Sequence, residues 1–427
     1  MARPMAGSSL WSATCREEAG AIALDRDLDV DLAIVGGGFT GCSAALEAAR
    51  LGASVALLEA HDIGHGGSGR NVGLVNAGLW LPPDDIAAAL GQEAGERLVA
   101  TLSEAPSRVF DLIERHAIDC EPRRAGTLHC AHAPSGARDL ENRFRQGNRS
   151  GAPLTRLNAD ETRARTGAKG LHGALFDPRA GTINPLAYCR GLARAACEAG
   201  ARLFAPAPVT RLERQSDCWV LSANGQTVRT NALLIATNAY HEGLEGPHAP
   251  RFVPFSFSQY ATGPLPDAVR SDILPGGEGC WDTATAMTSF RLDAEGRLIV
   301  GSVGNREGVS GRIHTSHARR MVRSLFPAAG EEPFRHAWHG TIAMTGDHLP
   351  KLLAFGPNAL TSFGYSGRGI APGTVFGAAA ARALVTGDVD SLPMRPVTAH
   401  AERFARTRAF TCEFGAALIH ACGPGSR

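Results

Sequence analysis

Residues Asp29 to Glu59 read DVDLAIVGGGFTGCSAALEAARLGASVALLE, and the fold follows from the order of features inside them. DVDLAIV is a short apolar run rich in strand formers, and Phe39 to Leu51 carries a helical pattern that Gly52 stops. SVALL at Ser54 to Leu58 is a second buried strand ending at Glu59. Between the first strand and the helix stands Gly36-x-Gly38-x-x-Gly41. Glycines there allow a tight turn and bring backbone N–H groups close to a pyrophosphate, whose charge the helix N-terminus favours. An acid at the end of the second strand accepts hydrogen bonds from ribose hydroxyls and disfavours a 2′-phosphate, which argues against NADP. Strand, glycine turn, helix and Glu59 together predict a dinucleotide-binding β-α-β unit.

The segment that follows, HDIGHGGSGRNVGLVNAG at His61 to Gly78, is dense in Gly, Ser, Arg and Asn. A nicotinamide domain ordinarily continues there with regular structure. Extended backbone of this composition can lie along a longer cofactor, with N–H groups free for pyrophosphate and ribityl oxygens.

Bulk properties narrow the classes further. The chain has 427 residues, 44% hydrophobic and 20% charged, with a formal net charge of +1. That length implies two or three domains or one elaborated two-domain enzyme, and the charge balance offers nothing to nucleic acid. Apolar stretches such as Ala371 to Thr386 fall short of the ~20 residues of a bilayer span, so no integral membrane segment is expected. Met1 to Cys15 holds one Arg and no continuous apolar run, which reads as no secretory signal and predicts a cytoplasmic protein. Ten cysteines without a C-x-x-C pair fit reduced, mostly buried thiols. Lys169 and Lys351 are the only lysines, and neither precedes Ser or Thr, so the phosphate cradle of a P-loop is missing. Asp347 and His348 have no Cys or His partner at ligand spacing, and no metal site is expected.

Further along, Pro83 to His116 is mostly amphipathic helix, with Pro106 expected to break it in two. Asn184-Pro185 starts a helix running to about Ala199, where Gly200 ends it. Pro208–Leu212, Cys218–Ala223, Gln226–Arg229 and Ala232–Ala236 read as short strands with Asn224-Gly225 as a hairpin turn. Gly364 to Gly387 is a second loop-to-helix element.

The chain resembles the D-amino-acid oxidase and glycine/sarcosine oxidase superfamily of FAD-dependent oxidoreductases, and within it the gamma-glutamylputrescine oxidase-like branch. The resemblance rests on VGGGFTG with Glu59, GGSGRN at Gly66 to Asn71, IDCEPRRAGTL at Ile118 to Leu128 and GTINP at Gly181 to Pro185. It continues through APVTRL at Ala207 to Leu212, ATNAY at Ala236 to Tyr240 and FRLDAEGRLIVG at Phe290 to Gly301. WHGTIAMTGDHLP at Trp338 to Pro350 and FGYSGRGIAPGT at Phe363 to Thr374 complete it. It implies an α/β fold, a Rossmann-type FAD-binding domain interleaved with an antiparallel-sheet substrate domain. Residues 29–82, 151–245 and 336–427 (the last with a C-terminal tail) then belong to the FAD domain, with 171–183 near the substrate domain. Residues 83–150 and 246–335 form the substrate domain, and 1–28 are an N-terminal extension.

Carried over by position, the resemblance implies that Gly36, Gly38, Phe39, Thr40, Gly41, Glu59 and Ala60 hold the ADP half of FAD. Ser68, Gly69, Arg70 and Asn71 lie along the pyrophosphate and near the flavin. Val209 offers backbone to the adenine, and Thr237 and Asn238 approach from their strand end. Gly340, Gly364, Gly367, Arg368, Gly369 and Ile370 stand against the isoalloxazine, where a helix N-terminus or Arg368 stabilises the charge of the reduced ring. Trp338 to Asp347 contains no Cys, so FAD is expected to be non-covalent. The lysine by which some relatives are thought to activate oxygen is replaced by an aliphatic residue within Arg297 to Gly301, which leaves O2 and an electron-carrier protein or quinone as alternative acceptors.

The chemistry so implied is oxidation of a C–N bond in a small amine or amino acid to an imine that water hydrolyses. Tyr260, Arg291, His339 and Arg368 are the catalytic-side candidates. Arg291 could clamp a substrate carboxylate, although a strand arginine is commonly a solvated face. Tyr260 and His339 could equally be structural. Three readings stay open: an oxidase releasing peroxide, an amine dehydrogenase or complex subunit serving a carrier, and a flavin-binding subunit without chemistry.

Overall fold

The computed structural model describes residues 9–422; residues 1–8, part of the expected N-terminal extension and of the stretch read for a signal, and 423–427 of the C-terminal tail lie outside them. The Leu28–Val35 strand, the Phe39–Arg50 helix and the Val55–Leu58 strand form the expected β-α-β unit, with both strands parallel. Around them grows an eight-stranded sheet whose main path runs Lys351–Gly356, Ala359–Phe363, Gln226–Ile235, Leu28–Val35, Val55–Leu58, Arg202–Phe204. Its central strands are apolar on both faces because helices cover one side and the Val209–Gln215 and Cys218–Ala223 hairpin region the other. The helix at Pro185–Glu198 starts as anticipated, with Asn184 accepting from the N–H of Ala187.

A second eight-stranded sheet runs Phe334–Met344, Val253–Pro264, Arg297–Val303, Thr288–Leu292, Gly279–Asp282, Thr127–Cys130, Ala174–Asp177, Thr155–Leu157. It is antiparallel except where Gly279–Asp282 meets Thr127–Cys130 in parallel. Phe334–Met344 pairs along its length with Val253–Pro264, so the chain returns to the first sheet only after Met344, later than the expected boundary at 336. Sequence alone could not show this, since an eleven-residue strand serves either sheet until its partner is known.

Three local differences have simple causes. Pro83 to His116 forms three helices, Pro83–Leu90, Gln92–Ser103 and Ala105–Arg115. Gly91 at φ +84° makes the additional break, while Pro106 sits in the first turn of the third helix, where it loses no hydrogen bond. Gln226 to Ile235 is one ten-residue strand instead of two, because it is central and pairs on both sides. The N-terminal segment is no loose appendage. Leu10 and Trp11 are fully buried, and the Trp11 Nε1–H donates to Asn71 O at 2.7 Å.

The C-terminal helix Ala405–Cys422 docks through Glu413, which accepts from the N–H of Asn305 and the Ser310 hydroxyl and pairs with His314 Nε2 at 2.9 Å. The His314 contact holds the Glu413 pKa down to about 2, against 4.5 ordinarily. A depressed carboxylate pKa stabilises docking above the ordinary value, and that contribution is lost as pH falls toward the folded one. Protection factors of the amides of residues 405–422, corrected for the intrinsic slowing of exchange in acid, are therefore expected to fall as pH drops below 4.5 toward about 2. In Glu413→Gln they should be lower already at neutral pH; equal protection in the two proteins would refute the tether.

Candidate functional site

One elongated cavity of about 680 Å³ lies between the two sheets. At its first end, the Leu28–Val35 strand delivers the chain into the glycine turn with Gly36 at φ +107°. A Cβ on Gly36 would stand 3.0 Å from the carbonyl of Ala236, and one on Gly38 would stand 2.9 Å from Ser68 Oγ. Side chains are thus excluded from the turn. Gly41 does not reach the cavity. A Cβ there would lie 1.9 Å from Gly36 O, so this glycine lets the helix seat on the strand.

Glu59 accepts from the N–H groups of Gly37 and His61, at 2.6 and 2.9 Å. It lines the cavity beside Ala60 and Val209. The Phe39–Arg50 helix has no side-chain cap on its first turn apart from Ser68, whose hydroxyl accepts from Phe39 N–H at 3.0 Å. Phe39, Thr40, Ser68 and Asn71 line the middle of the cavity, as do Thr237 and Asn238. Gly69 and Arg70 stand behind this wall. Arg70 donates to His65 O at 2.9 Å, and its own carbonyl accepts from Trp338 Nε1–H at 2.7 Å.

A second helix N-terminus faces the far end. Gly367, Arg368, Gly369 and Ile370 line the cavity where the Ile370–Thr386 helix begins. Gly364, at φ +82°, is outside the lining and donates its N–H to Asn238 Oδ1 at 3.0 Å. Gly340 is likewise outside it; the Phe257 ring, which does line the cavity, packs against it, 2.5 Å from where a Cβ would stand. Below this end, Thr40 Oγ1 and Ser362 Oγ both lie 2.8 Å from the Tyr365 hydroxyl, whose pKa burial raises to about 12.

Of the catalytic-side candidates, only Arg368 reaches the cavity. Burial, and then the neighbouring Arg143, push its guanidinium down to about 9. It donates to Ala77 O at 2.8 Å and lies over the Trp281 and Trp80 rings at 5.0 and 5.7 Å. Among the described residues no acid forms an ion pair with it.

The other three need correction. Arg291 is 1% exposed and donates to Ile183 O and Gly73 O at 2.7 and 3.1 Å, with Trp11 beneath its guanidinium. Those donors hold backbone together and are not offered to a carboxylate. Tyr260 points to the opposite face of its strand, its hydroxyl 3.3 Å from Thr315 Oγ1. His339 lies half-buried outside the cavity, 3.6 Å from Glu307, with burial lowering its pKa.

The residue that sequence reasoning missed is Gln259, one place from Tyr260. It is 5% exposed, lines the cavity, and its Oε1 has no protein hydrogen-bond partner. Gly301 opposite makes room for it, since a Cβ there would stand 2.1 Å from that oxygen. The available signal was alternation: Phe255, Phe257 and Gln259 share a face, and an amide closing an aromatic stripe is out of place unless it has something to bind. Trp80, Trp281, Met287, Ser289 and Ile342 complete this end.

The geometry fits FAD on its own terms: a side-chain-free turn, two helix N-termini aimed at one cavity and an acid at the adenosine end. Comparison with known proteins agrees. Residues 31–383 match the model of the family described as FAD dependent oxidoreductase (DAO). The "Probable oxidoreductase OrdL" of Rhizobium meliloti is 32% identical over 85% of both chains. Gamma-glutamylputrescine oxidoreductase of Escherichia coli is 28% identical over 85% of both. The solved structure of glycine oxidase from Geobacillus kaustophilus superposes with a TM-score of 0.70, at 22% identity, over 87% of this chain and all of that one, a likeness of fold. The glycine turn, the two-sheet architecture and these matches together make the chain a member of the DAO family of FAD-dependent oxidoreductases.

Proposed function

We propose that the chain oxidises the C–N bond of a small amine or amino acid, giving an imine that water hydrolyses to a carbonyl product. The observation that carries this reading is the far end of the cavity: aromatic and aliphatic walls, one buried amide and one unpaired guanidinium. FAD, when bound, supplies the hydride acceptor. The glycine turn, Ser68, Asn71 and the Ile370 helix start hold it without a covalent bond, and no cysteine lines the cavity. Phe255, Phe257, Trp281 and Met287 exclude water and lower the pKa of a bound amine, so that its nitrogen lone pair is available. Gln259 Oε1 accepts from the amine N–H. Arg368 fixes a substrate carboxylate and so orients the C–H bond. Relatives named gamma-glutamylputrescine oxidoreductase and glycine oxidase support the substrate class.

Anaerobic bleaching of the yellow protein by polyamines, N-methyl amines and both enantiomers of amino acids tests the reading. At least one class is expected to bleach it, and none doing so leaves only a flavin-binding subunit. An acceptor other than O2 is favoured by a specific observation: neither lysine lines the cavity, and Lys351 is held by Asp347. Reduced protein is then expected to pass electrons to a soluble quinone faster than it releases hydrogen peroxide. No described helix is long and apolar enough to cross a membrane.

Arg368 is tested by ligand binding. Methoxyacetate, an unreactive carboxylate, is expected to bind Arg368→Met about tenfold more weakly or worse than the unaltered protein, as loss of a charged hydrogen-bonding partner implies; equal affinities would remove Arg368 from this role.

A further inference from the structure

Arg368 and Trp281 belong to two cavities at once. Behind them, on the side away from the Ile370 helix start, lies a second space of about 130 Å³ under the helices at Pro83–Leu90, Gln92–Ser103 and Pro134–Arg149. Its polar wall consists of Arg143, Arg179, Asp177, His129 and Arg368, with Ser103 and Ser150.

The charges cancel only in part. Arg179 and Asp177 neutralise each other through two contacts, at 2.9 and 2.7 Å. His129 is fully buried against Trp281, and burial pushes its pKa well down, so it is neutral. Arg143 uses Nε on Asp139 and Nη1 on Trp80 O, at 2.8 and 2.9 Å, and that aspartate is outside the wall. Arg368 has one carbonyl partner. Two guanidinium groups with donors to spare thus face one small pocket, Arg143 with one edge on the half-exposed Asp139 and Arg368 with no acid, an arrangement that a carboxylate would complete.

We propose that this space is a carboxylate subsite, in which Arg143 and Arg368 receive a second acidic group carried by the substrate. The preferred substrates are then amines or amino acids with two carboxylates, one in the main cavity and one reaching past Trp281. The proposal rests on the amine reading above for its substrate, but its binding test does not. No bond is made or broken at the subsite.

The test titrates the visible flavin band of the holoenzyme with oxydiacetate, which has two carboxylates and no oxidisable nitrogen, and with methoxyacetate, which has one. Oxydiacetate is expected to bind about tenfold tighter or more, as charged hydrogen bonds of this kind allow. Arg143→Gln should bring that ratio close to unity, and Arg143→Lys should keep part of it, with flavin content reporting that both variants fold. Equal affinities in the unaltered protein, or a ratio indifferent to Arg143→Gln, would overturn the subsite. If acetate and methoxyacetate bind together through Arg143 while oxydiacetate shows no advantage, the space takes a free anion, and the proposal for substrate fails. If oxydiacetate is preferred although no amine bleaches the flavin, the subsite stands and the amine reading falls.

Discussion

Gly41→Val is expected to yield a folded but nearly colourless protein, with FAD held about tenfold to a hundredfold more weakly. The residue touches no cofactor surface. Its absent side chain is what lets the Phe39–Arg50 helix settle on the strand: a Cβ would stand 1.9 Å from Gly36 O and 3.4 Å from Ile34 Cγ2. Forcing the two apart costs about 1–3 kcal/mol as overpacking. The displacement falls on the turn whose N–H groups meet the pyrophosphate, so it appears as lost binding. The ratio of visible flavin absorbance to protein absorbance after gel filtration measures it. Gly52→Ala is the control, since Gly52, unlike Gly41, has positive φ (+86°) but has open space around its Cβ position; backbone strain without a clash at the turn should leave the protein yellow. Full flavin content in Gly41→Val would show that the turn tolerates a displaced helix.

Trp11→Ala is expected to lower unfolding free energy by about 3–5 kcal/mol, the range for emptying a buried aromatic site. Trp11 is 0% exposed, meets the Trp338 ring edge-on at 5.9 Å, lies under Arg291 and donates to Asn71 O. It therefore ties the N-terminal segment to the second sheet and to a residue of the cavity wall. Trp11→Phe should recover most of the packing and lose the indole hydrogen bond, costing about 1 kcal/mol. Urea denaturation followed by far-ultraviolet circular dichroism distinguishes these. A loss below about 1 kcal/mol in Trp11→Ala would mean that the segment is an ornament on a core stable without it.

The two variants mark opposite kinds of legibility. Gly41 could be read because its partners, Gly36 and Ile34, lie within seven positions of it, in a strand, turn and helix whose spacing is itself the geometry. Trp11 could not, since nothing near it in the chain announces Asn71, Arg291 or Trp338. Arg291 and Arg368 show the same limit among charged residues. Both are buried arginines that sequence alone places near the substrate side. Only packing decides that one spends its donors on the carbonyls of Gly73 and Ile183 while the other keeps them for the cavity. Tyr260 and Gln259 differ by one place, and a strand sends adjacent side chains to opposite faces. Which face is the cavity depends on the sheet's neighbours, not on the strand.

Contiguous residues and simple counts were enough to read the cradle for the cofactor, the family and the lysine-poor character of the chain. Tertiary structure alone decided the substrate end. It is assembled from segments near residues 76–80, 255–259, 281–289, 301–303, 341–344 and 365–370, which are distant in the chain and meet only when the second sheet has formed and the loop and helix start at 365–370 close on it. Burial strips water from the few polar groups left there, Gln259 and Arg368 foremost, and that loss of solvent turns an ordinary amide and an ordinary arginine into groups that need a ligand.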